Sequence, residues 1–214
     1  VPRLSAMTTQ KDSTESMELM KLIFNVVLAI VLPLCLLSGL LSKDIILFIA
    51  SKKYIQAGNA LKILSVSLVF SSMASFMTTS VLLPNGKEKY ILRASVISAV
   101  VNFTLNFWFI PKLSFIGAAI TTMLAEFVMF TVSYMTAKQY IDLSEMKKDV
   151  GKYIAGCAGI IVVWIMIGKI MNLHGIVHIM VVGVCCMLVY ILINLKLWKF
   201  DWKEILGKIK ERRN

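Results

Sequence analysis

The chain has 214 residues, of which 58% are hydrophobic and only 16% charged, with a mean hydropathy of +0.79. A water-facing domain averages about 45–50% apolar and about 25% charged residues, and one of this size cannot hide such an excess. An ordinary soluble enzyme, a disordered tail and a disulfide scaffold are excluded. The net charge of +11 would suggest a nucleic-acid partner in a soluble domain. Here it matches basic loops beside membrane spans, so no nucleic acid is expected.

The apolar residues fall in blocks of about twenty, the length a helix needs to cross ~30 Å of hydrocarbon. The expected fold class is all-α, a polytopic transmembrane helix bundle of six spans. Residues 1–19 are polar and read as a cytoplasmic connection. Their first five, Val1-Pro2-Arg3-Leu4-Ser5, carry no signal peptide and read as the middle of a longer frame. The first span is expected at about 20–42, with Pro33 inside it. Proline removes a backbone donor and kinks a helix. Between this span and the next, about 61–83, the connection 43–60 holds Ile45 to Ile49, too short to cross and suited to a short interfacial helix. The third span is expected at about 91–110, the fourth at about 115–136, the fifth at about 150–171 and the sixth at about 175–195. The tail, 196–214, is basic. Trp198, Trp202, Ile205, Leu206 and Ile209 form one apolar stripe on a helix suited to an anionic leaflet.

Six spans place both ends on one side. Of the 23 Lys and Arg, seventeen then fall on the side of the termini and six on the other. The positive-inside rule puts both termini in the cytoplasm.

Eleven of the twelve carboxylates lie in connections or the tail; Glu126 stands mid-way along the fourth span. A charge at that depth costs about 2.5–3.5 kcal/mol, so it must face a cavity, meet a partner or be protonated. Asn102 and Asn106 are four apart and share one helix face. Folding the third and fourth spans about a turn between Lys112 and Leu113 sets Glu126 opposite Ala99 and within a turn of Asn102. A Glu126–Asn102 contact is expected, with Thr121 and Thr122 adding polarity nearby. These groups act either as interhelical glue or as the lining of a path for substrate or a coupling ion. Arg93, at the start of the third span, either snorkels to headgroups or offers a planar fork to a phosphate.

His174 and His178 have a spacing that could serve a metal, but no Glu, Asp or Cys stands near in sequence. The four cysteines, Cys35, Cys157, Cys185 and Cys186, lie in apolar runs and read as small hydrophobes. No catalytic triad or phosphate loop appears, so neither catalysis nor a cofactor is expected.

Residues 83–126 carry a more specific pattern: Gly86-Lys87, Asn102 with Asn106, Ile110-Pro111-Lys112, then Gly117-Ala118-Ala119. In order and spacing this resembles the polysaccharide (O-antigen and capsule) repeat-unit flippases of the multidrug/oligosaccharidyl-lipid/polysaccharide exporter superfamily. Pro2-Arg3-Leu4-Ser5 and the run from Ile45 to Ala60 with Tyr54 and Ala57 are similar to that family upstream. Two departures stand out: Ser114 replaces the glycine common after Pro-Lys, and Ser51-Lys52-Lys53 stands where a glycine often precedes the tyrosine. The resemblance covers about 130 residues; beyond residue 150 only hydropathy matches.

The resemblance implies the C-terminal portion of a fourteen-span, two-lobe exporter, its N-terminal lobe supplied by the same polypeptide. It implies a bacterial inner-membrane location and an undecaprenyl-diphosphate-linked oligosaccharide as substrate. Membrane lipids and a coupling cation or proton are its other partners. Arg93, Asn102 and Asn106 are then the candidates for substrate binding and Glu126 for ion coupling. A drug/cation antiporter of the same superfamily is the nearest alternative. A membrane-embedded glycan polymerase or acyltransferase is another, though the loops lack its cluster of acids, His and Arg.

Overall fold

A computed structural model describes residues 13–141, 150–170 and 175–197. The described residues form six α-helices: α1 Ser13–Leu40, α2 Ser42–Ile49, α3 Ala57–Phe76, α4 Glu88–Ala137, α5 Val150–Ile170 and α6 Gly175–Leu197. A 3₁₀ turn, Lys52–Tyr54, precedes α3, and a π-helical stretch, Met77–Leu82, extends it. All but α2 are long and apolar enough to cross a membrane. The amphipathic helix expected in the tail beyond Leu197, residues 1–12 and His174 lie outside the described residues.

Helix α1 shows why these helices belong in lipid. Met20, Phe24, Leu28, Val31 and Leu37 form its buried face. Leu22, Val26, Ile30 and Leu34, on the opposite face, are exposed yet equally apolar. A helix that is apolar all round, in so small a bundle, needs hydrocarbon on its outer face. The same holds throughout: only 17–33% of each apolar window is buried inside the bundle.

α1 packs on α3 and α5, α3 on α4, and α5 on α6. Phe24 meets Phe76 with ring centres 5.4 Å apart, and Phe70 meets Phe127 edge-on at 5.2 Å. On α6, Val182, Cys186, Tyr190 and Asn194 recur every four residues as a buried stripe. It faces Tyr153, Gly156 and Ile160 of α5: a Cβ at Gly156 would meet the Tyr190 ring and the Asn194 amide. The short α2 begins at Leu41 and Ser42, both buried, and packs on α3 and α6.

The π-helical stretch is almost wholly buried, with Val81 and Leu82 fully so. Its widened turn is closed by Leu83 N–H to the Thr78 carbonyl at 2.9 Å. The turn Pro84-Asn85-Gly86-Lys87 then reverses the chain. Gly86 sits at φ +66, a conformation open mainly to glycine, and Asn85 Nδ2 donates to the Val81 carbonyl at 2.7 Å.

Helix α4 is one run of 50 residues with a single break, Ser114, at φ 52 and ψ −132. A straight helix of that length would be about 75 Å long and would hold residues 98 and 125 about 40 Å apart. Instead Ser98 Oγ donates to the Ala125 carbonyl at 2.7 Å. The chain therefore folds back at Ser114, just after Pro111. The first arm (88–113) lies antiparallel to the second (115–137). Gly117 allows the closest approach: a Cβ there would lie against the Phe109 carbonyl.

Candidate functional site: a polar seam inside a membrane hairpin

The candidate site lies between the two arms of α4. On the second arm, Gly117, Thr121 and Ala125 recur every fourth residue, share one face, and are all buried. On the first arm Ser98, Asn102 and Asn106 keep the same spacing. Facing one another, these rows form a seam of polar contacts. Asn106 Nδ2 donates to Asn102 Oδ1 at 2.7 Å. Thr121 Oγ1 lies 2.6 Å from Asn106 Oδ1 and 2.9 Å from the Ala118 carbonyl.

One hydroxyl carries one proton, yet two acceptors crowd it here. Three oxygens, on Thr121, Asn106 and Ala118, thus converge within hydrogen-bonding distance around a single donor. Thr121 is wholly buried and the amide NH₂ of Asn106 already donates to Asn102, so these contacts tie the two arms together, and their uncharged acceptors meet an outside hydroxyl or cation only where the arms part. The seam contains no nucleophile paired with a base. Beside it a pocket of about 410 Å³ opens between α2, α3 and the second arm, lined by Ile46, Ala60, Leu64, Phe115, Ala118 and Thr122 among others. Its wall shares Ala118 with the seam, and apart from Thr122 it is apolar.

Arg93 and Glu126 stand elsewhere. Arg93 is exposed, its guanidinium 5.5 Å over the Tyr90 ring. Nine residues separate it from Asn102, half a turn round the helix. Glu126 is half-buried and has no hydrogen-bond or ion-pair partner among the described residues. The expected Glu126–Asn102 contact is not formed. Helical geometry explains this: Ala125 occupies the seam, and the next residue points about 100° away. The partner on the second arm is Thr121, and Asn102 Oδ1 is taken by Asn106. The structure therefore joins Asn102 and Asn106 but gathers neither Arg93 nor Glu126 to them.

Two features escape sequence reasoning. Ser98 is a fixed member of the seam, and only the four-residue spacing to Asn102 could have suggested it. Asp44 lies 3.2 Å from His178, across 134 residues, where the sequence shows no carboxylate near the histidine.

The model of the family described as "Lipid II flippase MurJ" matches residues 1–196. The chain belongs to the lipid II flippase MurJ family. The MurJ family sits within the exporter superfamily that the 83–126 pattern resembles, and its members are transporters of lipid-linked precursors, not enzymes. The family match carries the resemblance at that level, without its O-antigen and capsule specialisation. Among curated proteins, the chain is 30% identical over 189 residues to the uncharacterized membrane protein MJ1068 of Methanocaldococcus jannaschii. The aligned region covers 86% of this chain and 37% of that relative, so the chain spans little more than a third of the longer protein's length.

Proposed function

We propose that this MurJ-family chain is the C-terminal portion of a flippase that carries an undecaprenyl-diphosphate-linked saccharide across the bacterial inner membrane by alternating access. The family match over residues 1–196 carries this reading. The polar seam supports it, because uncharged amides and hydroxyls inside a membrane hairpin are what a sugar head needs on its way through oil. The two arms of α4 each cross the bilayer, which makes six crossings and leaves both termini cytoplasmic. The N-terminal lobe of the same polypeptide completes the cavity.

Asn102 and Asn106 contact the saccharide. Arg93 addresses the diphosphate with its fixed fork of donors, and Glu126 couples transport to a cation or proton. Both face away from the hairpin's own seam and so remain available to cargo or to the other lobe. The family match favours the peptidoglycan precursor lipid II as cargo. The motif order over 83–126 favours a polysaccharide repeat unit as the second reading. The drug/cation antiporter has only Glu126 as an inward acid to support it.

The test is depletion of the full-length protein in its own cells, with complementation by variants. Lipid-linked precursor should accumulate on depletion, and its saccharide identifies the cargo. Arg93→Ala and Glu126→Gln should fail to relieve the block at normal expression. Full relief by both would remove these two residues from the mechanism, and absence of any lipid-linked intermediate would remove the function.

A further inference from the structure

The pocket beside the seam is one half of a second site. It runs from a mouth at Ala57 and Phe115 to a floor at Leu64 and Thr122. Seven residues along each helix give it a depth of about 10 Å, and its volume is about 410 Å³. A void lined by aliphatic side chains does not hold water, so what fills it is apolar.

The other half is charge at the mouth. Lys43 stands three residues before Ile46, which lines the pocket, and on the same face of α2. A Cβ at Gly58, next to Ala57, would lie 3.3 Å from Lys43 Cα and Cγ, so the lysine stem rests on the first turn of α3. Lys112 precedes Phe115 by three residues, across the Ser114 reversal. Both lysines are exposed, and neither has an ion-pair or hydrogen-bond partner among the described residues. Lys52 and Lys53 add two more exposed charges just ahead of α3. Asp44 is the only carboxylate within 43–64 or 112–122, and it turns to His178, with Oδ2 3.2 Å from Nδ1.

The depth of the mouth follows from its aromatic neighbours. Tyr54 and Trp108 are 57% and 65% exposed, one residue from Lys53 and one turn from Lys112. Such rings settle at the headgroup level of a bilayer. The mouth therefore opens among headgroups, and the slot beneath it lies in hydrocarbon.

We propose that this slot holds one acyl chain of an anionic phospholipid, whose phosphate is taken by Lys43 and Lys112. Lysine stems cover apolar surface while their ammoniums reach the headgroups. Each such group beside an anionic lipid strengthens binding roughly fivefold. At about 30 Å³ for a water-sized group, the slot takes on the order of fourteen such groups. That suits one acyl chain and is far too little for an undecaprenyl tail. The occupant is a lipid of the surrounding leaflet, not the cargo, so the site stands apart from the transport reading.

Native mass spectrometry of the delipidated full-length protein tests the site. Phosphatidylglycerol is titrated in, with diacylglycerol of the same chains as the comparison that lacks a phosphate. Lys43→Gln with Lys112→Gln should weaken phosphatidylglycerol at least about tenfold and leave diacylglycerol unchanged. Ala57→Leu, which fills the mouth, should weaken both lipids several-fold. Lys138→Gln, exposed at the opposite end of the second arm, should weaken neither. Phosphatidylglycerol binding that the lysine pair lowers no more than Lys138→Gln does, or that Ala57→Leu leaves intact, overturns the proposal. Full-length protein that retains no phosphatidylglycerol also overturns it, since the rest of the chain then fills the slot. Undecaprenyl phosphate that displaces phosphatidylglycerol at equal concentration would give the slot to cargo and sink the choice of occupant. If Ala57→Leu does not fold, the lysine pair, at exposed positions, decides alone.

Discussion

Replacing Gly117 by alanine tests the hairpin where its arms are closest. The added Cβ would press on the Phe109 carbonyl oxygen, 2.6 Å from the carbonyl carbon and 3.1 Å from the Ile110 nitrogen. These are backbone atoms and cannot rotate away. To bring the carbonyl oxygen, the nearest of these atoms, to an ordinary contact of 3.4 Å the arms must part by roughly 1.1 Å. Moving Thr121 Oγ1 and Asn106 Oδ1 apart by the same amount takes their 2.6 Å bond past the limit of hydrogen bonding. Overpacking costs about 1–3 kcal/mol, and a lost interhelical hydrogen bond in a membrane averages about 0.6 kcal/mol. A loss of about 2–3 kcal/mol is therefore expected, some thirty- to a hundredfold in the unfolding equilibrium at about 1.4 kcal/mol per tenfold. Reversible denaturation of the detergent-solubilised full-length protein measures it. Gly168→Ala is the control, because a Cβ there meets nothing within 4 Å and the helix should gain slightly. Equal stability of the two variants would refute the close approach of the arms.

Four further outcomes are expected. Ser114→Gly should raise the denaturation midpoint by an amount worth about 1 kcal/mol, since a serine held at φ 52 is strained where glycine is not; a fall in midpoint would contradict the turn geometry. Thr121→Val should cost at most about 1–2 kcal/mol in stability yet slow precursor transport at least tenfold, while Thr121→Ser retains both; transport and denaturation on the same preparation separate the effects. Leu82→Ala, at a fully buried position in the π-helical stretch, should destabilise by about 2–5 kcal/mol, whereas Leu92→Ala, at a residue 66% exposed to the lipid side, should change denaturation little. Gly156→Leu should separate α5 from α6, because its side chain would collide with Tyr190 and Asn194; cysteine cross-linking between the two helices should fall accordingly.

The hairpin shows how far the sequence carries the fold. Pro111, Lys112 and the break in apolar residues locate the reversal within two residues of Ser114, and antiparallel pairing about a turn between Lys112 and Leu113 sets residue 98 opposite 127, two residues from the Ala125 it meets. The family pattern has a glycine where this chain has Ser114, and the positive φ explains the preference. Periodicity is informative wherever one helix meets one neighbour, as along α6. It fails to say which polar residue faces the seam when both arms are apolar all round, because lipid and protein select the same side chains. Glu126 and Thr121 illustrate this: five residues apart, they differ in direction by more than a quarter turn, and only packing decides which one meets Asn106. The His178–Asp44 contact is illegible for a different reason, since nothing local to either residue announces a partner 134 positions away.

The most direct measurement of the central claim is transbilayer movement in proteoliposomes. Full-length protein is reconstituted with a fluorescent undecaprenyl-diphosphate-linked saccharide, and the fraction reaching the opposite leaflet is followed by an impermeant quencher. The account predicts movement well above protein-free vesicles, abolished by Arg93→Ala and reduced by Thr121→Val. Movement no faster than in protein-free vesicles, from protein that expels a small cation or drug from the same vesicles, would contradict it.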